Sequence, residues 1–184
     1  EICHNYLKLE PLIVDAGIKT GVPICCDDPR QVGSDRVVDA AAAIALYGGP
    51  ACIVHFGTAT TFDAISANGE YLGGAIAPGI AISADALFQK TAKLQRVEIC
   101  RPPGAIGKNT VHAIQSGLLF GYVGLVEGMV RRFKKELGPK TKVIGTGGLV
   151  NLIAKETQVI EISAPWLTLD GLRLIYELNE SNRR

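Results

Sequence analysis

The residues best suited to chemistry stand together in ACIVHFGTATTFD, residues 51–63, where an apolar strand opens into a turn of one glycine and three threonines. Gly57, Thr58, Ala59 and Thr60 are small enough for their backbone N–H groups to approach an anion closely, and the threonine hydroxyls add donors to the same oxygens. That is the chemistry of holding phosphate. The chain continues as a second strand through FDAIS, and Asn68-Gly69 signals a type I′ turn before a third strand, EYLGGAIAPG. The turn therefore belongs to a hairpin meander. P-loops and Rossmann fingerprints instead need a glycine-rich turn that opens a helix, so both are excluded. An ordinary tight hairpin is the alternative reading of the same residues.

Further candidates are scattered. In GSDR, residues 33–36, Ser34 or Asp35 can cap the helix RVVDAAAAIALY, and Arg36 can form a surface ion pair or bond a carboxylate in two places. Thr110 follows Asn109, which reads as the cap of a long helix. GTGG, residues 145–148, is a flexible strand-to-helix turn that can lie against a nucleotide. Lys90, Lys93 and Arg96 read as a solvated basic face, His4 and His112 as structural, and Asp27-Asp28 before Pro29 as a turn and not a metal site; no metal-binding residues are expected.

Elements must hold these groups in place. Short β-like pieces, PLIVD and GVPICC, precede the GSDR helix, which ends at Gly48-Gly49-Pro50, a cap followed by a breaker that reads as a domain boundary. After the meander come an amphipathic helix from GIAISADALFQKTAKL and a long helix over 109–137, with Val111, Ile114, Leu118, Tyr122, Leu125, Met129 and Phe133 as its buried stripe. Gly117, Gly121, Gly124 and Gly128 cost that helix about 1 kcal/mol each relative to alanine. Close approach of another helix, as at a dimer surface, or accommodation of the sheet would offset the cost. KVIGT, a helix, the strand QVIEIS and a final helix from WLTLDGLRLIYEL complete an α/β chain with parallel crossovers.

At 184 residues, with 47% hydrophobic and 20% charged content, the composition is globular. The 19 basic and 18 acidic residues give no cationic field for nucleic acid, so a small ligand is expected. Five cysteines without a CxxC pair read as reduced thiols of a cytoplasmic protein, and the short, broken apolar runs suggest no membrane partner.

Taken in order, GSDR, GTATTFD and IGKNT with the QSGLLFGYVGLVEG helix behind it resemble the type III pantothenate kinase family, and GGAIAPG, GTGG and LTLDGLRLIYELN follow the same flow. The resemblance implies an actin-like ATPase (ribonuclease H-like) fold. Residues 1–48 would be the C-terminal part of a first half and 49–184 a complete second half with its three-strand meander. It implies transfer of the ATP γ-phosphate to the primary hydroxyl of pantothenate, the first step of coenzyme A synthesis, by a homodimer whose interface helps form the pantothenate site. Carried over by position, Asp35 is the base; Gly33, Ser34, Asp35, Arg36 and Thr110 contact pantothenate; Gly57 and Thr58 contact ATP, which brings Mg2+. A non-catalytic accessory or metabolite-binding protein is the alternative.

Two departures stand out. The family implies an aspartate holding a monovalent cation, commonly K+, two residues before the turn glycine, where this chain has His55. A neutral imidazole suits a hard cation poorly, and a protonated His55 would supply the positive charge itself. The family also implies an N-terminal Asp-x-Gly-Asn-Thr segment, which these residues lack; a counterpart meander is expected before residue 1, and weak ATP turnover is expected without it.

Overall fold

The computed structural model describes residues 2–15, 17–90 and 94–180. Its centre is β1 (Ala51–Phe56), apolar but for His55 and covered on both faces, as a central strand requires. β2 (Ala59–Ile65) and β3 (Tyr71–Pro78) follow as antiparallel neighbours, while β4 (Lys142–Gly147) and the two-residue β5 (Ile162–Ser163) join the other side of β1 in parallel, giving the order β3-β2-β1-β4-β5. This mixed sheet with helices on both faces agrees with the α/β class expected from the sequence.

Alternation along β1 divides the core in two. Cys52, Val54 and Phe56 face a cluster with α3 (Thr110–Leu137), α2 (Ile80–Lys90) and the short α4 (Val150–Ile153). Ala51 and Ile53 face the alanine-rich flank of α1 (Ser34–Tyr47) and α5 (Leu167–Glu180). Alanines at 40–43 let α1 lie close on the sheet, and Gly171 lets α5 lie close on α1: a Cβ at Gly171 would fall on the carbonyl oxygen of Val38. The boundary expected at Gly48–Pro50 therefore runs between α1 and β1, two elements of one core.

Several local expectations are corrected. PLIVD and GVPICC are not strands; one isolated bridge, Ile24 to Tyr71, is what GVPICC contributes. The β2–β3 connection is not type I′, because Asn68 keeps a negative φ. Instead Gly69 N–H donates to Ser66 O, Gly69 has φ +79°, and Ser66 N–H donates to Glu70 O, a type I turn closed by a glycine bulge. Along α3 the buried face is Ile114, Leu118, Leu119, Tyr122, Val123, Val126 and Val130, with Val111, Leu125, Met129 and Phe133 half-buried at its margin. Gly117, Gly121 and Gly124 are exposed, and nothing lies within 4 Å of where their Cβ atoms would be, so they do not accommodate the sheet. Among the described residues α3 is long and apolar enough to cross a membrane, but half of that stretch is buried, as in a core helix.

Candidate functional site

The C-terminal ends of β1 and β4 meet the N-terminal ends of α1 and α5, and this edge gathers most of the chemistry. α1 enters β1 through the reversal at residues 48–50, so its first turn lies beside the last residues of β1. Gly57 and Thr58 are exposed at the β1–β2 bend, where Gly57 N–H donates to Ala59 O at 3.0 Å. Two glycines brace that bend from either side. Gly79 N–H donates to Thr58 O at 3.0 Å, and a Cβ on Gly79 would fall on the Thr58 and Gly57 carbonyls. Gly147, at φ +92°, pairs with Phe56 so closely that a Cβ would meet the Phe56 carbonyl oxygen. The GTGG loop thus lies next to the threonine turn. The hydroxyls of Thr60 and Thr146, one on each strand flanking β1, are buried without a partner among the described residues.

His55, Thr61 and Asp63 occupy the sheet face toward α1, since the antiparallel register sets His55 opposite Thr61 and Ile53 opposite Asp63. Asp63 is fully buried and collects donors: Arg36 Nε at 2.7 Å, Tyr71 OH at 2.8 Å and Thr61 Oγ1 at 3.0 Å. Arg36 Nη2 is also 2.7 Å from Asp63 Oδ1, but outside hydrogen-bonding geometry, so that buried nitrogen stays unsatisfied. Burial pushes the Asp63 carboxyl up, while Arg36, Tyr71 and Thr61 each pull it down. Burial beside that carboxylate raises the Tyr71 phenol above its ordinary value. Arg36 is therefore an internal ion pair, 15% exposed and stacked 5.7 Å from the centre of the Tyr71 ring, and not a surface pair.

A second buried carboxylate, Asp39, accepts from His55 Nδ1 at 2.6 Å and from Thr168 Oγ1 at 2.6 Å. The hydrogen bond to Asp39 raises the His55 pKa above its usual value; desolvation opposes this, and the charges of Asp39, Asp35 and Asp63 add to the rise. The outer edge of the ring, Cδ2 and Nε2, lies 3.1 Å from where a Gly57 Cβ would sit. His55 thus joins the acidic face of α1 to the Gly57 bend. Oxygen ligands for a hard cation do not fit at a position filled by an imidazole that donates to a carboxylate.

Gly33 is the cap residue of α1 with no side-chain cap, Ser34 begins the helix, and the exposed Asp35 carboxylate accepts from Arg36 N–H at 2.9 Å. Ser34 also borders a cavity with Val14, Ile18 and Arg30, whereas Arg36, paired with Asp63, and Asp35, whose charge acts on His55 beside Gly57, reach the Gly57–Thr58 edge. Thr110 does not: it starts α3 on the opposite face, where Asn109 Oδ1 accepts from His112 N–H at 2.9 Å. Asp28 caps the short helix Pro29–Gln31, as the turn reading expects; His4 sits 3.4 Å from Glu10, and Arg96 pairs with Asp85 at 3.4 Å from a stretch outside α2 and not from a helix face; Lys93 lies outside the described residues.

A family model described as type III pantothenate kinase matches residues 1–132. The chain belongs to the type III pantothenate kinase family. Family proteins carrying that name include one from Roseiflexus castenholzii, 57% identical over 178 residues, which cover 97% of this chain and 70% of the relative. Another, from Moorella thermoacetica, is 55% identical over 179 residues, again 97% and 70%. Among solved structures, a conserved putative Baf family transcriptional activator from Campylobacter jejuni superposes with a TM-score of 0.60 at 24% identity over 85% of this chain and 69% of that one, a likeness of fold.

Reading motifs in the sequence missed Asp39, Asp63, Tyr71 and Thr168. Asp63 closes the GTATTFD run, and its period-2 spacing from Thr61 was the available signal. Asp39 is the one charge within VVDAAAAIA, a position an apolar helix face leaves to a satisfied carboxylate. Nothing local announces Thr168.

Proposed function

We infer that the chain phosphorylates pantothenate with ATP, the first step of coenzyme A synthesis. What supports this reading is His55 between the two groups, with the charge of Asp35 acting on its ring and its outer edge against Gly57, in a chain of this family. The β- and γ-phosphates of ATP rest on the backbone of Gly57 and Thr58 and against the GTGG loop, with Mg2+ arriving as part of the nucleotide. Gly33 and Ser34 border the acceptor. Arg36, anchored on Asp63 through Nε with Nη2 buried beside it, offers the remaining exposed part of its guanidinium to the polar oxygens of pantothenate. The acceptor hydroxyl oxygen attacks the γ-phosphorus, the bond to the β,γ-bridging oxygen breaks, ADP leaves, and the hydroxyl proton passes to Asp35. Phosphoryl transfer needs alignment and charge neutralisation more than a strong base, so an ordinary carboxylate suffices for a proton that leaves late.

The protein acts as a cytoplasmic homodimer in this reading. Thr110 lies on the opposite face from Asp35, so it serves the pantothenate site of a second copy, and the bare glycine face of α3 is where the copies meet. Residues 49–184 form the second actin-like half, with α1 supplied from the part before it. Coupled measurement of ADP release tests the function: release should depend on pantothenate and on ATP together. Pantothenate binding by calorimetry with no phosphoryl transfer would favour a metabolite-binding protein instead.

A further inference from the structure

The nucleotide reading of the Gly57 bend leaves one titratable group unassigned. His55 is 23% exposed, its Nδ1 is committed to Asp39 at 2.6 Å, and its outer edge lies against the bend. Asp39, 2% exposed, is fixed in turn by the Thr168 hydroxyl at the start of α5. Both neighbours of Asp39 are therefore donors. This chain of bonds sets the tautomer: Nδ1 carries hydrogen whether the ring is charged or neutral, and every change of protonation happens at Nε2. Among the described residues Nε2 has no hydrogen-bond partner. When protonated it is a cationic donor beside the bend; when neutral it presents a lone pair there, which repels phosphate oxygen.

We propose that His55 is a phosphate-binding residue of the nucleotide site, engaged only as the imidazolium, and that Asp39 and Thr168 are positioning residues that aim its Nε2 at the bend. The proposal rests on the assignment of nucleotide to the Gly57–Thr58 turn. The charges around the ring favour the engaged form. Asp35 and Asp39 face it from α1, and Asp63 from β2 with Arg36 as its counter-charge, whereas Thr61, Thr146 and Thr168 on the other adjoining elements carry no charge. Nucleotide affinity is consequently linked to one proton on the enzyme. Above the midpoint of free His55 the affinity should fall by about tenfold per pH unit, in addition to the titration of the nucleotide itself.

With three histidines in the chain, ring 15N shifts resolve each one. The experiment follows the His55 midpoint and the Gly57 amide with and without a non-hydrolysable ATP analogue, in the wild-type protein, Asp39→Asn and His55→Gln. Expected are a higher His55 midpoint in the presence of the analogue, a lower midpoint in Asp39→Asn, and loss in His55→Gln of the enzyme's share of the pH slope. A Gly57 amide shift with an unmoved His55 midpoint overturns this proposal and leaves the nucleotide assignment standing. No Gly57 shift at saturating analogue overturns both. The wild-type titration decides the matter even if a variant fails to fold.

Discussion

The two buried carboxylates of the site do different work, and substitution separates them. Asp63 neutralises Arg36 inside the protein, so Asp63→Ala strands a guanidinium that is 15% exposed and should destabilise the fold by about 3–5 kcal/mol in urea unfolding. The His55–Asp39 bond contributes stability with a definite sign. Its folded pKa lies above the usual 6.5, so the contribution is fully present below about pH 6.5 and is lost as pH rises through the folded value. The stability gap between wild type and His55→Gln should therefore be widest in mildly acidic buffer and narrow on the alkaline side. A gap independent of pH would remove the charged bond from the account. Much of this was legible in the sequence where the residues are contiguous, as in GTATTFD. The Asp39 pairs were not, because His55 lies 16 residues away and Thr168 lies 129 away, and only the packing of α1 and α5 on the sheet brings them together.

Among the elements, strand alternation does most of the positioning. The three strands of the meander were readable from the apolar run of β1 and the turn signals that follow it, yet the type of turn between β2 and β3 was not, since Asn-Gly suits both a type I′ turn and the type I turn with a glycine bulge that forms. PLIVD has strand composition but no neighbouring edge to pair with among the described residues, and composition alone does not supply one. The α1–α5 contact is the element-level weak point. Gly171→Ala places a methyl on the Val38 carbonyl and should cost about 1–3 kcal/mol through displacement of α5. Thermal unfolding measures that loss, and the His55 ring shifts should move with it, because Thr168 rides on the same helix.

At the scale of the whole molecule, the bare face of α3 is the feature the single chain does not explain. Three exposed glycines without neighbours reduce helix propensity by about 1 kcal/mol each and return nothing inside the protomer. In the proposed homodimer, packing against a second copy would account for them and would bring Thr110 from the far face toward the pantothenate site of that copy. Gly121→Leu should shift sedimentation from dimer to monomer while helix content by circular dichroism holds. An unchanged dimer would move the interface elsewhere. The sheet order was foreseeable from the succession of meander, helices and crossovers. The closeness of α1 to the sheet was not, because Gly48-Gly49-Pro50 reads as a boundary, whereas α1 and β1 on either side of it share one core cluster.

The sharing of one reaction by Asp35 and the Gly57–Thr58 bend is tested most directly by steady-state turnover of pantothenate and ATP in Asp35→Asn. Asp35 is exposed, so the substitution should leave stability within about 0.5 kcal/mol of wild type. Loss of the proton acceptor should lower kcat by about 10²–10⁴-fold while the ATP analogue still binds. Pantothenate phosphorylation at the wild-type rate by the folded variant would contradict the account.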